Sequence, residues 1–274
     1  MTRSTLLLST LALAGCSYLQ SGSPEAPTPA GKSAPPKPTR TTVAKMANGL
    51  AVVRAMHDKY ESNTPKSISF LQNNTTYTTT GEERKSQWYE HLEIPGKLRI
   101  AFLPATTRSG LVQVGDRVAT FDNGIRVDFR PSINPLLLLT ADVFVAPPAT
   151  IMKGLDSLDV DTETVRIDEW DDRPVYVVGA KAGDTTSNQM WIDAERLLLV
   201  RFIQSATAGQ RTLTSDTRVR NYKEIKGYQI PTEFLVLRNG RPVFREEYDD
   251  VKVNETFPPG TFDQARWNDI PIPK

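Results

Sequence analysis

Few side chains in this sequence stand where covalent or acid–base chemistry could begin. Cys16 is the single cysteine, so a thiolate nucleophile, a cysteine-ligated metal and an intrachain disulfide are excluded from the rest of the chain. The two histidines, His57 and His91, have no spaced partners. There is no His-x-x-x-His pair to grip a metal, and no Gly-x-Ser-x-Gly elbow to raise a serine nucleophile. Asp156, Asp159, Asp161 and Glu163 could suggest calcium, but they lack the EF-hand spacing and its central glycine. They read as a solvated helix exit, and Asp168 to Asp172 as a charged turn. Arg211, Arg218, Arg220, Lys223 and Lys226 accompany Tyr222 and Tyr228, yet strand alternation splits them across two faces. With a net charge of +1 and no phosphate loop, nothing pulls the chain towards nucleic acid. No metal, no cofactor and no catalytic residue is expected.

The one reactive group has a telling context. A single early cation, Arg3, precedes an apolar run from Thr5 to Ala14. That run is too short to stay in a bilayer as a helix, which needs about 20 residues. A positive start, a short apolar core and small residues before the cut make an export signal. The cut falls at Leu13-Ala14-Gly15-Cys16, which resembles the lipobox of bacterial lipoproteins. The resemblance implies that residues 1–15 are a signal peptide and that Cys16 is acylated on sulfur, with palmitate or a similar chain, and becomes the mature N-terminus. Ser17 follows it, and the absence of Asp there resembles the pattern of residence in the outer membrane, with the domain facing the periplasm. Two or more acyl chains would make such anchoring stable. Residues 16–40 are then a lipidated tether, with prolines at 24, 27, 29, 35, 36 and 38 and too little apolar content to fold.

The remaining residues, 41–274, must supply any site. Val43, Met46, Ala47, Leu50, Val53, Met56 and Tyr60 recur at three-to-four spacing and predict one amphipathic helix of about five turns over Thr41 to Tyr60. Asn48-Gly49 weakens that stripe without breaking it. From Lys66 the period becomes two. Ile68 and Phe70, then Trp88, Leu92 and Ile94, then Leu98, Ile100 and Phe102 open a series of strands. Asp122-Asn123-Gly124 and Asn239-Gly240 are hairpin turns. About eleven antiparallel strands are expected, each with one apolar and one polar face. Leu136 to Leu139 give no period; Pro135 at a first turn and the lack of β-branched residues favour helix. Pro147 to Leu158 reads as a second short helix.

Several stretches carry a family likeness. They are Leu92-Glu93-Ile94-Pro95-Gly96-Lys97-Leu98-Arg99-Ile100, Gln189-Met190-Trp191-Ile192-Asp193, Gly227-Tyr228-Gln229-Ile230-Pro231, and Val251-Lys252-Val253-Asn254 with Phe262 beyond. Their order over residues 43 to 267 resembles the LolA/LolB-like lipoprotein-sorting superfamily. That resemblance implies a mostly β fold with α: a strongly curved antiparallel sheet, an incomplete β-barrel covered by a long N-terminal helix and a central helical lid. It further implies an apolar concavity that holds acyl chains. A curved sheet with an apolar inner face can fill it with side chains or leave room for a ligand. The candidate groove is Trp88, Leu92, Leu98, Ile100, Phe102, Val112, Val114 and Phe121, with Leu136, Leu137, Leu138 and Leu139 as its lid. The expectation is therefore a non-enzymatic, outer-membrane-anchored holder of an acyl chain, lipid or lipoprotein. The alternative is an envelope sensor of the same fold that reads a protein partner.

Overall fold

A computed structural model describes residues 43–208 and 211–272. Cys16 and the tether of residues 16–40 lie outside the described residues. In chain order the elements are α1 (Gly49–Tyr60), β1 (Ser67–Tyr77), β2 (Glu83–Glu93), β3 (Lys97–Phe102), β4 (Gly110–Val114), β5 (Arg117–Asp122) and β6 (Ile125–Pro131). Two helices follow, α2 (Pro135–Thr140) and α3 (Pro148–Ser157), with a 3-10 turn at Asp142–Phe144 between them. Then come β7 (Val165–Trp170), β8 (Arg173–Val178), β9 (Gln189–Asp193), β10 (Leu199–Ala208), β11 (Arg211–Ile225), β12 (Tyr228–Arg238) and β13 (Arg241–Val253).

All thirteen strands form one antiparallel sheet in the order β6-β5-β4-β3-β2-β1-β13-β12-β11-β10-β9-β8-β7. It is two meanders joined back to back, and the only long-range pairing among neighbours is β1 with β13. The sheet curves but does not close into a barrel. Its two edges, β6 and β7, are consecutive in sequence. The chain between them carries α2 and α3, so the helical insertion spans from one edge to the other. Meander turns follow the chemistry of their residues. Asn123 and Gly124 (φ 50° and 78°), and Asn239 and Gly240 (φ 48° and 78°), are left-handed pairs, the geometry that matches strand twist in two-residue hairpins.

Helix α1 starts later than its stripe predicts. Asn48 is its cap and accepts the Ala51 N–H at 3.1 Å. Gly49 donates to the Thr162 carbonyl at 2.6 Å, and a Cβ there would meet Val178 Cγ1 at 2.9 Å. Asn48-Gly49 therefore begins the helix at a tight approach to the sheet, and Val43 to Ala47 precede it without helical structure. The sheet has thirteen strands where about eleven were expected, and β10 and β11 run on past their apolar residues, pairing residues 201–208 with 211–218. Residues Val243 to Val253, expected as two strands, form the single β13, with a register shift where it passes Ser69 to Leu71.

The main core packs α1, α2 and α3 on β8 to β12: Val52, Met56, Leu139, Ile151 and Leu155 meet Tyr176, Met190, Ile192, Phe202 and Phe234, all nearly inaccessible. The helical side is called the inner face below. On the outer face of β1 to β5 lies the C-terminal segment, residues 254–272.

Candidate functional site

Helix α2 is built to lie across the inner face. Asn134 caps it, accepting the Leu136 and Leu137 amides at 3.0 and 3.1 Å, and Pro135 occupies its first turn, where a missing N–H costs nothing. Leu137 packs on Leu98, Ile100, Leu111 and Val118 of one half of the sheet. Leu138 and Leu139 belong to the core over the other half, and Leu136 packs against that core. One short helix thus feeds both halves. Its far end is tied down by Asp142, whose Oδ1 accepts the Gly96 N–H of the β2–β3 turn at 2.9 Å. Burial pushes the Asp142 carboxyl up to about 6, although the Gly96 amide opposes this.

Five of the eight expected groove residues come together here. Trp88, Leu92 and Phe102 pack around the cluster of Leu98, Ile100 and Leu137, and Trp88 leans on Phe102 with ring centroids 5.0 Å apart. Val112, Val114 and Phe121 do not join them. In the β3–β4 register Ile100 faces Leu111 and Arg99 faces Val112, so Val112 belongs to the outer face, and Val114 with it. Phe121, with Val112 and Ala119, lies under Trp267. Beside the end of α2 a cavity of about 10 Å³, bordered by Tyr60, Ile68, Ile94, Ala141, Phe144 and Ile230, has room for one water.

Between the two apolar clusters the inner face turns polar. Register places Gln72 opposite Trp88 and Tyr248, Asn74 opposite Ser86 and Glu246, and Phe70 opposite Glu90. Phe70 stacks on Tyr248 at 3.8 Å, and Tyr248 donates to Glu246 Oε2 at 3.3 Å. Gln72 Nε2 donates to Asn74 Oδ1 at 2.6 Å, while Asn74 Nδ2 is buried with no partner among the described residues. Glu90, 5% exposed, has no hydrogen-bond or ion-pair partner among the described residues. Burial, then the nearby Glu246, drives the Glu90 carboxyl well above the usual range, and burial raises Glu246 to about 7.

The outer face is clamped by the C-terminal segment. Arg99, 1% exposed, donates to the Trp267 and Thr261 carbonyls at 2.9 and 3.4 Å and lies over the Trp267 ring at 4.0 Å. Trp267 stacks on Phe121 at 4.5 Å and 5° and donates to the Arg108 carbonyl at 2.9 Å. Its approach requires Gly110, where a Cβ would sit 2.7 Å from the indole. His91 lies under the same segment, edge-on to Phe257 at 4.7 Å, with no partner for Nδ1 among the described residues; burial, then Arg99, lowers it to about 4. Beside it a surface recess of about 380 Å³ is lined by Glu93, Lys97, Val114, Phe257 and Phe262.

No family model matches the chain, and no curated protein does. Solved structures match it. A LolA superfamily protein from Nitrosomonas europaea is 17% identical, covering 77% of this chain and 96% of that one with a TM-score of 0.50. An outer membrane lipoprotein-sorting protein domain from Vibrio parahaemolyticus is 11% identical over 80% and 97%, TM-score 0.54. The fold is LolA-like. A DUF1329 family protein from Desulfovibrio piger shares it, with 12% identity over 80% and 98% and a TM-score of 0.53.

Within this LolA-like fold the inner face brings together an apolar cluster packed on α2 and a strip of β2 and β13 that carries Glu90 and Glu246. Among the described residues no group of three or more His, Cys, Asp or Glu is placed to hold a metal ion. His57 lies near Asp58 and Glu61 at 3.5 Å on α1, and Asp161 closes a turn by accepting from Glu163 and Thr164. Sequence reasoning passed over Glu90, Glu246, Asn74 and Asp142. A signal for the first two was present: each is a carboxylate at an inward position of a strand, Trp88-x-Glu90-x-Leu92 and Phe244-x-Glu246-x-Tyr248.

Proposed function

We propose that this chain is a membrane-tethered envelope lipoprotein that holds an acyl chain or lipidated protein on the inner face, in place of its own leucine lid. The observation that carries this reading is the division of α2: Leu137 is seated in one half of the sheet, and Leu138 and Leu139 in the other. An occupant that displaced α2 would find the apolar lining of Trp88, Leu98, Ile100 and Phe102 ready-made. Energetics allow the exchange. Unseating three leucines costs about 5–9 kcal/mol, and burying a chain of some ten methylenes returns about 8 kcal/mol. The balance lies near zero, as reversible holding requires. The names of the similar solved structures, which include outer membrane lipoprotein sorting, agree with this reading, as do the export signal and the lipobox-like tetrad.

Anchoring rests on Cys16. No helix among the described residues is long and apolar enough to cross a membrane. The Cys16→Ser chain is expected to leave the membrane fraction, with the acyl mass lost from the intact protein by mass spectrometry; unchanged partitioning would remove the anchor. Holding is tested separately, by titrating the full chain with 1-dodecanol and following tryptophan emission, since Trp88 borders the groove. Saturable binding is expected, and its absence would remove the holder. A protein-partner reading has one observation in its favour: edge strand β6 exposes Ile125, Val127 and Phe129 at 69%, 60% and 49%, a row that an added strand could cover.

A further inference from the structure

The polar floor of the inner face is costly as it stands. A buried carboxyl without partners and a buried amide donor without an acceptor each cost free energy unless something else satisfies them. Among the described residues Glu90 has no hydrogen-bond or ion-pair partner, and Asn74 Nδ2, on a residue 1% exposed, has no acceptor. Both lie on the inner face, Asn74 directly across from Glu246 and Glu90 beside Phe70 and Ile100. Glu246 has only the weak hydroxyl contact from Tyr248. The other charged groups at inward register positions are Arg84, exposed and paired with Glu82, Arg238 and Arg241 where β12 meets β13, and Asp128 and Arg130 on edge strand β6. No ion pair joins Arg84, Arg238 or Arg241 to Glu90 or Glu246 among the described residues. Two inward carboxylates therefore share a lining with Trp88, Phe102 and Phe244, whose rings lie within 5.0 and 5.8 Å of the Trp88 indole. Unpaired carboxylates next to aromatic faces are a recognition chemistry for organic cations.

We propose that this floor is the head-group site of the groove. It takes an amphiphile whose polar end is a cationic nitrogen, held by Glu90 and Glu246 while the alkyl chain lies along Trp88, Phe102 and Phe244. The assignment rests on the groove reading above and narrows it to a ligand class. A cation seated there would favour the ionised form of both carboxylates, so binding near pH 7 would release a proton from Glu246. A hydrogen-bond acceptor next to that nitrogen would satisfy Asn74.

The test compares two ligands with the same chain on the full protein at about pH 7.5: dodecylamine, which is a cation there, and uncharged 1-dodecanol. Isothermal titration should show the amine bound about tenfold or more tightly than the alcohol, the scale of a charge-assisted hydrogen bond. It should also show proton release that changes the heat between buffers of different ionisation enthalpy. Glu246→Gln and Glu90→Gln should each bring the affinity for the amine towards that for the alcohol. Equal affinity for amine and alcohol in the unsubstituted protein overturns the head-group site while the groove stands. Failure of both ligands to bind removes the groove and the head-group site with it. Because the first comparison needs no substitution, a poorly folding variant does not blunt it.

Discussion

His91 and Glu246 lie on opposite faces of the sheet and bend the stability curve in opposite directions. The His91 imidazole, lowered from 6.5 to about 4, takes its proton more readily when unfolded, so stability falls as pH drops from 6.5 towards 4. Glu246, raised from 4.5 to about 7, does the reverse: its contribution is present below 4.5 and lost as pH rises through 7. His91→Phe keeps the ring contact with Phe257 and removes the first effect. Thermal unfolding at pH 7 and pH 4.5 should show the variant gaining on the parent by up to about 3 kcal/mol at the lower pH. Parallel behaviour at both would mean that His91 is not held neutral by its burial. Trp267 is the anchor of the outer face, and Trp267→Ala should destabilise by about 3–5 kcal/mol, read from denaturant unfolding. A loss under about 1 kcal/mol would show that the C-terminal segment is not part of the cooperative unit.

At the scale of elements, the lid and its latch make the sharpest prediction. Asp142 is raised from 3.8 to about 6 by burial, so its protonation favours the latched arrangement and that contribution fades as pH rises through 6. Asp142→Asn keeps an acceptor for the Gly96 amide without the buried charge. It should stabilise by about 1–3 kcal/mol at about pH 7.5, with the gain vanishing below about pH 4. Asp142→Ala leaves the Gly96 amide unmatched and should increase binding of a hydrophobic dye. A stability change independent of pH would sink the latch. The helix α2 itself was legible in sequence, because Pro135 at a first turn and the lack of β-branched residues favoured it. The faces of β4 and β5 were not. Leu111 and Val112 are adjacent and both apolar, since one meets the lid's cluster and the other supports Trp267. A strand buried on both faces has no period to read. Only the register with Ile100 and Arg99 separates them, and register is a property of the folded sheet.

At the scale of the molecule, two meanders meet at β1 and β13, and their free edges are bridged by the segment that carries the lid. The resemblance in the sequence anticipated this open, helix-covered sheet. It left open whether side chains or a ligand fill the concavity; in the structure Leu137, Leu138 and Leu139 are seated in its two apolar clusters. On the proposed function, this open sheet holds an apolar surface under a small cover that a ligand displaces. The account therefore requires that ligand and lid exclude one another. Amide hydrogen exchange of α2 and the Asp142–Phe144 turn, with and without saturating 1-dodecanol, measures this directly. Faster exchange there on binding, with β3 to β5 still protected, is the expected result. A lid that stays equally protected while ligand is bound would contradict it.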